Sequence, residues 1–457
     1  MTTRNIPYRP CFVVLIVLIT ACSSINDTPE DDNDINLNGN ELLTVIQEAT
    51  FHYFWEGAEP NSGMARERIH LDGSLTLEQN YIVTTGGSGF GLMAILVGIE
   101  RGFISRSNAL LRVEKIVHFL GNTDRFHGAW PHWMDGRTGR VHPFSPKDDG
   151  ADLVETAFLV QGLIAVRQYL REGNEREQVL AEKITNLYRE VEWDWFQKNS
   201  GNVLYWHWSP NYGWEMDVPI RGYNEALLVY ILAASSPTHS ISAEVYHRGW
   251  ARNGNIASAN SAYGYNLILK HSGSEEFGGP LFWAHYSYLG LDPRGLSDQY
   301  ADYWTLNKNH TLINRRWCIE NPGNFEGYGK NLWGLTASYT MNEDGTVGYT
   351  AHRPGNDRGV ISPTAALSSM PYTPEFSLDV AQHLFNKLGD KIFGKYGFYD
   401  AISIGKNFYP KRYLAIDQGP MVIMIENYRT QLLWDLFMSA PEIKQGLRKL
   451  DFESPHL

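Results

Sequence analysis

Ser145–Gly162 reads SPKDDGADLVETAFLVQG. Asp148, Asp149, Asp152 and Glu155 are followed by a run in which Leu153, Val154, Ala157, Phe158, Leu159 and Val160 cover every other face of a helix. A helix that is apolar all round must be buried all round, so it needs amphipathic helices to cover it. Asp152 and Glu155 stand at i and i+3 and share a face. Acids are stabilised at a helix N-terminus by the macrodipole, and Asp148 falls in the N-cap region. Capping accounts for one or two of these acids but not for Glu155, which lies inside the apolar run. A buried carboxylate is costly and has a raised pKa. Two readings remain for it: catalysis or direct ligand contact, and a buried structural network.

Arg221–Ala233, RGYNEALLVYILA, repeats the design with Glu225 at the mouth of an apolar helix. Arg221 offers it a salt-bridge partner, which is the structural alternative. The same alternation extends along the chain. Segments 41–55, 107–120, 177–196, 242–252, 296–317 and 375–388 are amphipathic, whereas 86–100, 151–169, 224–234, 281–289, 363–370 and 419–437 are apolar nearly all round. A covering helix followed by a buried one, every ~60 residues and about six times, is an internal repeat. Six such hairpins closing on themselves predict an all-α (α/α)6 barrel, with the fourth and fifth units the least regular.

Aromatic stretches precede several buried helices. Phe126–Phe144 carries Trp130 and Trp133, and Asn202–Ile220 carries Trp206, Trp208 and Trp214. Turn residues between short aromatic runs predict β-hairpin decorations at one barrel end, and long ordered loops on a rigid scaffold carry binding. These five tryptophans are candidate sugar-stacking residues. The chain holds 14 Trp, 25 Tyr and 20 Phe, which also suits a Trp-rich core. Further polar candidates at loop-to-helix junctions are Tyr328, His352, Arg353, Asp400 and Asp417. Asp417 is read either as a ligand contact or as a cap for a helix opening at Gly419–Pro420. Glu426 is paired with Arg429 at i+3, and Gln431 is placed deep in the last helix. Gly86–Gly91, GGSGFG, is read as close helix packing.

His127, His132 and His142 share one loop but match no metal-ligand spacing, so neither a metal nor a cofactor is expected. The chain lacks GxSxG, HExxH, a P-loop and a Rossmann fingerprint after a strand.

At the N-terminus, CFVVLIVLITA (11–21) follows Arg4 and Arg9, a run too short for a membrane span and right for a signal h-region. LITAC then reads as a bacterial lipobox that makes Cys22 the lipidated N-terminus; an ordinary secretory signal is the alternative. Residues 22–40 read as an acidic disordered tether, which leaves 41–457 as one catalytic domain. The result is an exported lipoprotein of the periplasm or outer-membrane surface, monomeric and anchored through Cys22. Cys318 is left alone and is read as a buried thiol. Without residues 1–21 the balance is 37 basic against 51 acidic residues, net −14. That charge argues against nucleic acid and anionic substrates and suits a neutral glycan.

GSGFGLMAILVGIERGFISR, DDGADLVETAFLVQGLIAVRQY, ISPTAALSSMPYTPE and IDQGPMVIMIENYRTQLLW resemble, in order, motifs of the glucoamylase-like domain of bacterial exported proteins, in particular glycoside hydrolase family 144. The resemblance spans nearly all of residues 41–450. It implies an (α/α)6 barrel and inverting hydrolysis of β-1,2-glucan or its oligosaccharides, sophorose among the products. It also implies functional acids at Asp148, Asp152, Glu155 and Glu225. Glu225 is taken as the proton donor, and Asp148, Asp152 or Glu155 as the group that activates water. The lipobox and tether look like those of Bacteroidetes lipoproteins. The rival readings are an α-glucosidase, lyase or epimerase on the same barrel, and a non-catalytic glycan-binding lipoprotein. A lyase would need a basic site, and an epimerase a catalytic histidine pair.

Overall fold

The computed structural model describes residues Leu37–Leu457, which form one compact unit. The expected signal peptide, Cys22 and nearly all of the tether lie outside the described residues. Covering and buried helices alternate along the chain. The first hairpin is α1 (Gly39–Trp55) with α2 (Thr85–Glu100), the second α3 (Arg106–Leu120) with α4 (Leu153–Leu170), and the third α5 (Glu175–Arg189) with α6 (Leu227–Ser235). The fourth has a short α7 (Ala243–Val245) continued by a π turn (Tyr246–Trp250), with two 3-10 turns (Leu281–Ala284, Tyr286–Leu289) as its inner half. The fifth is α8 (Tyr303–Glu320) with α9 (Pro363–Leu367), and the sixth α10 (Pro374–Ile392) with α11 (Ala415–Thr430). The expected barrel is therefore present, and its irregular units are the fourth and fifth. Two further helices, α12 (Leu432–Met438) and α13 (Pro441–Lys449), follow it.

Sequence explains the two helix classes. α3 buries Ala109, Val113, Ile116, Val117 and Leu120, a single stripe at helical spacing. α2 is buried from Thr85 to Gly98, and α4 nearly throughout. Asn38 with Glu41, and Asn174 with Glu177, form capping boxes that start α1 and α5. α2 packs against both α4 and α11, so the first and last hairpins meet and close the ring. A strand pair staples that closure, Arg68–His70 running antiparallel to Arg412–Leu414.

The glycines of GGSGFG act as expected. A Cβ on Gly89 would lie 2.1 Å from the Phe158 carbonyl oxygen, and one on Gly162 would lie 2.1 Å from that of Gly89. Only hydrogen fits where α2 crosses α4. Trp130, Trp193, Trp250, Trp333 and Trp434 are fully buried, so part of the aromatic surplus is core. Cys318 is a buried free thiol, as expected.

Three local expectations change. Glu426 pairs with Arg101 at 2.7 and 2.8 Å rather than with Arg429, which donates to Gln47. Arg101 reaches Glu426 from α2's C-terminus, whereas the i+3 neighbour points elsewhere. Gln431 is not deep in a helix: it is exposed, with φ 68°. This left-handed residue ends α11 and splits the expected helix in two. α11 opens at Ala415, ahead of Gly419–Pro420, so Asp417 lies in its first turn and is not its cap. Both predicted hairpin segments fold back on themselves, Trp133–Asp135 on Val141–His142 and, through single bridges, Tyr205 on Pro219 and Ser209 on Gly213; His207–Trp208 pairs in addition with Ala151–Asp152.

Gly162→Ala should overpack the α2–α4 crossing and cost about 1–3 kcal/mol. A denaturant midpoint that falls at constant m-value is the expected readout; an unchanged midpoint would mean the crossing has slack.

Candidate active site

The inner helices begin at one end of the barrel, and that end holds a cavity of about 400 Å³. Glu155 and Glu225 both line it. Trp133, Trp206, Phe144 and Tyr349 supply rings to its walls.

Glu155 is the third residue of α4 and only 8% exposed. Its carboxylate accepts from the Gly86 N–H at 2.8 Å and the Thr84 hydroxyl at 3.4 Å. It thus sits on the N-terminus of α2, where free amides and the helix dipole favour an anion. A Cβ at Gly86 would lie 2.7 Å from Glu155 Oε2, so glycine is what lets the carboxylate approach. Burial raises the Glu155 carboxyl, the His132 charge opposes this, and Asp152 adds to the rise. Glu225 lies in the turn ahead of α6, its carbonyl held by the Ser287 hydroxyl. Burial, aided by the charges of Asp152 and Glu155, pushes its carboxyl up to about 7. Arg221 stays exposed at the surface, and the charges that act on Glu225 are those two acids.

Asp152 and Asp148 stand behind this pair. Asp152, rather than Asp148, is the N-cap of α4, because its Oδ1 accepts from the Val154 and Glu155 amides at 3.0 and 2.9 Å. Its other oxygen takes His132 Nδ1 at 2.8 Å. Burial works to raise Asp152, but this hydrogen bond and the His132 and His207 charges hold it below its ordinary value. Asp148 lies 4.0 Å from His132 Nδ1 and 3.7 Å from His207 Nε2. Burial, with the Asp152 charge, pushes Asp148 up to about 7. His132 loses by burial but gains from Glu155 and Asp152, and is held at about 9. It is therefore an imidazolium at neutral pH, its Nε2 3.9 Å from Glu155. His132, Asp148 and Asp152 offer donor types found at divalent-cation sites, one atom each within 4.8 Å of the others. The 2.8 Å His132–Asp152 contact is a direct charged hydrogen bond that satisfies both groups without a cation, so we assign no metal ligand here.

Of the sequence candidates, Glu155, Glu225, Trp133 and Trp206 line the cavity. Asp148 and Asp152 support it from behind. Trp130 does not reach it: this residue is fully buried, with its indole donating to the Leu120 carbonyl. His352 is likewise sealed in, and Arg353 and Tyr328 sit in neighbouring loops, Tyr328 on Asp357. Asp400 and Asp417 are buried together behind Tyr339, whose N–H donates to Asp400, and burial raises both. Trp208 and Trp214 lie outside the cavity, in a second aromatic cluster around Trp195.

Sequence reasoning missed several lining groups. Glu67 and Arg68, an ion pair in the cavity wall, lie at the start of the strand segment Arg68–His70, well ahead of α2, and no helix-mouth pattern marks them. Tyr339 and Tyr349 face each other across an unforeseen hairpin (Ala337–Met341 with Val347–Ala351), whose signal is alternation around Glu343-Asp344-Gly345. In the sequence His132 stands out only as a metal-ligand type; its partner Asp152 lies 20 residues away, and spacing does not reveal the contact.

Comparison with known proteins shows the family. The family model "Glycoamylase: Putative glucoamylase" matches residues 217–441. The crystal structure of an endo-β-1,2-glucanase from Chitinophaga pinensis, in complex with sophorotriose and glucose, is 61% identical with a TM-score of 0.90, covering 92% of this chain and 100% of that one. The chain belongs to the glucoamylase-like family. Within the family, its relatives are of the glycoside hydrolase family 144 type that the motifs had indicated. An exo-β-1,2-glucooligosaccharide sophorohydrolase (non-reducing end) from Parabacteroides distasonis is 44% identical over 431 residues. That alignment takes in 90% of this chain, and the chain spans 58% of that relative's length. A β-1,2-glucanase structure from the same organism is 42% identical, with a TM-score of 0.84, and covers 91% of this chain and 60% of that one.

Asp152→Asn keeps an N-cap side chain but removes the charge beside His132. The His132 titration, followed by NMR of labelled imidazole, should move down from about 9. An unmoved titration would show that the ion pair does not hold the proton.

Proposed function

We propose that this protein hydrolyses β-1,2-glucan or β-1,2-glucooligosaccharides with inversion, releasing sophorose-type products. The observation that carries this reading is the convergence of Glu155 and Glu225, in unequal surroundings, on one ring-lined cavity. The activities of its family relatives support it. Glu225 is the acid. Held up to about 7, it still carries its proton near neutrality and passes it to the glycosidic oxygen as the C–O bond breaks. Glu155, braced by the Gly86 amide and facing the His132 imidazolium, is the carboxylate that takes a proton from the attacking water. The water adds to the anomeric carbon from the opposite face, which inverts its configuration. The rings of Trp133 and Trp206 stack on sugar C–H faces, and Glu67 and Arg68 take hydroxyl hydrogen bonds. We read the chain as an exported lipoprotein acylated at Cys22 and acting as a monomer. The lipobox-like LITAC run supports the first part, and Cys22→Ser should abolish the lipid mass seen on the wild-type N-terminus.

Glu225→Gln and Glu155→Gln should each lower turnover on linkage-defined β-1,2-glucooligosaccharides by about 10³-fold or more, with unfolding midpoints near wild type. Near-normal turnover by either variant removes that residue from the mechanism. Anomer-resolved NMR of the first products should show the α form; initial β product would mean retention.

The acid must be protonated, so the alkaline limb of the activity should fall as pH rises through about 7, separate from any acidic limb set by protonation of Glu155. In a kcat/KM profile, Glu225→Gln should abolish that limb. A wild-type profile flat across pH 6–8 contradicts the assignment.

A further inference from the structure

The cavity is at the small end of ligand pockets, which run roughly from 300 to 1,000 Å³. A polymer seated in it must therefore continue across the protein surface. The loops beside the acid cluster carry a second set of rings. Trp208 follows the cavity residue Trp206 on one extended segment and pairs with Ala151, next to Asp152. Its ring lies 6.4 Å from that of Trp195, which is 6.3 Å from Trp214. Trp195 is 42% exposed and, with the half-buried Trp208 and Trp214 beside it, forms a contiguous aromatic patch rather than a lone surface ring.

The cluster is held rigidly. His127 stacks on Trp195 at 3.8 Å with planes 13° apart, and its Nδ1 meets Glu192 at 2.9 Å. His127 has φ 52°, a left-handed conformation that costs a non-glycine residue of order 1 kcal/mol. Such strain persists where the surroundings impose it, here the stack and the carboxylate together. Polar groups surround the rings: Asn211 and Ser209 on Asp149, and Lys198 over Tyr205. A fixed aromatic face fringed by hydrogen-bonding groups suits a neutral sugar chain, which offers C–H faces and hydroxyls.

We propose that Trp195, with Trp208 and Trp214, forms an outer platform that binds the part of a long glucan chain lying beyond the catalytic cavity. The platform rests on the functional reading above, so binding is read apart from hydrolysis. In the Glu225→Gln background, affinity electrophoresis in gels containing β-1,2-glucan, or another linkage-defined glucan, should show retardation that Trp195→Ala reduces about tenfold and Trp195→Phe largely restores. In the otherwise wild-type enzyme, Trp195→Ala should raise the ratio of KM on polymer to KM on a tetrasaccharide about tenfold, or 1.4 kcal/mol. Retardation and KM ratio both unaltered in a folded Trp195→Ala protein would overturn the platform and make the cluster packing alone. Retardation on a different glucan that depends on Trp195, with no hydrolysis of β-1,2-glucan by wild type, would uphold the platform and refute the proposed reaction.

Discussion

The Glu155 carboxylate accepts the Gly86 N–H at the start of α2, and the arrangement of the site depends on that contact. It exists because α2 and α4 cross at glycines. Gly89 and Gly162 let the two backbones meet where any side chain would collide with a carbonyl. That approach carries the start of α4 onto the start of α2, and Gly86 leaves room for the carboxylate to reach a main-chain N–H. An acid that would otherwise be an unpaired buried charge becomes a hydrogen-bonded one. The remaining energetic load falls on His132, which faces Glu155 from one side and Asp152 from the other. A packing requirement and a chemical one are thus met by the same short segment.

The site divides its acids by environment. Asp152 caps α4, is paired with His132 and is held below its ordinary value; Asp148 and Glu225 are buried beside like charges and pushed up to about 7. Several carboxyls crowded around one imidazolium cannot all ionise together, so proton positions are set by which group lies nearest the positive charge. Glu225 is farther along the wall, with acids as its charged neighbours, and keeps its proton. Glu155 faces the imidazolium and an amide. That asymmetry is what acid–base chemistry on a glycosidic bond needs.

Away from this cluster, the barrel end is finished by parts of very different origin. The Arg68–Leu414 strand pair joins the first hairpin to the sixth and brings Glu67 and Arg68 into the wall. The Tyr339–Tyr349 hairpin comes from the fifth. The fourth hairpin contributes Phe282 and Tyr286 from turns that barely amount to helix. Its irregularity matters little for the ring because α2, α4 and α11 supply the tight inner contacts.

The sequence by itself determined the helix classes, the sixfold alternation and two of the acids that line the cavity. Periodicity reports which faces are buried, and an acid in an otherwise apolar helix stands out without any coordinates. Glu155 and Glu225 were legible for that reason, and the α2 glycines because close packing leaves a composition mark. Tertiary structure alone decided which charges meet. His132 reaches Asp152 from another loop, Arg101 displaces Arg429 at Glu426, and Glu67 enters the cavity through a strand pair between the chain's two ends. It also separated Trp130, sunk in the core, from Trp133 only a few residues away in the cavity. Within a loop no fixed period ties sequence position to direction, so the side on which a ring or charge emerges is set by what the rest of the barrel places against it.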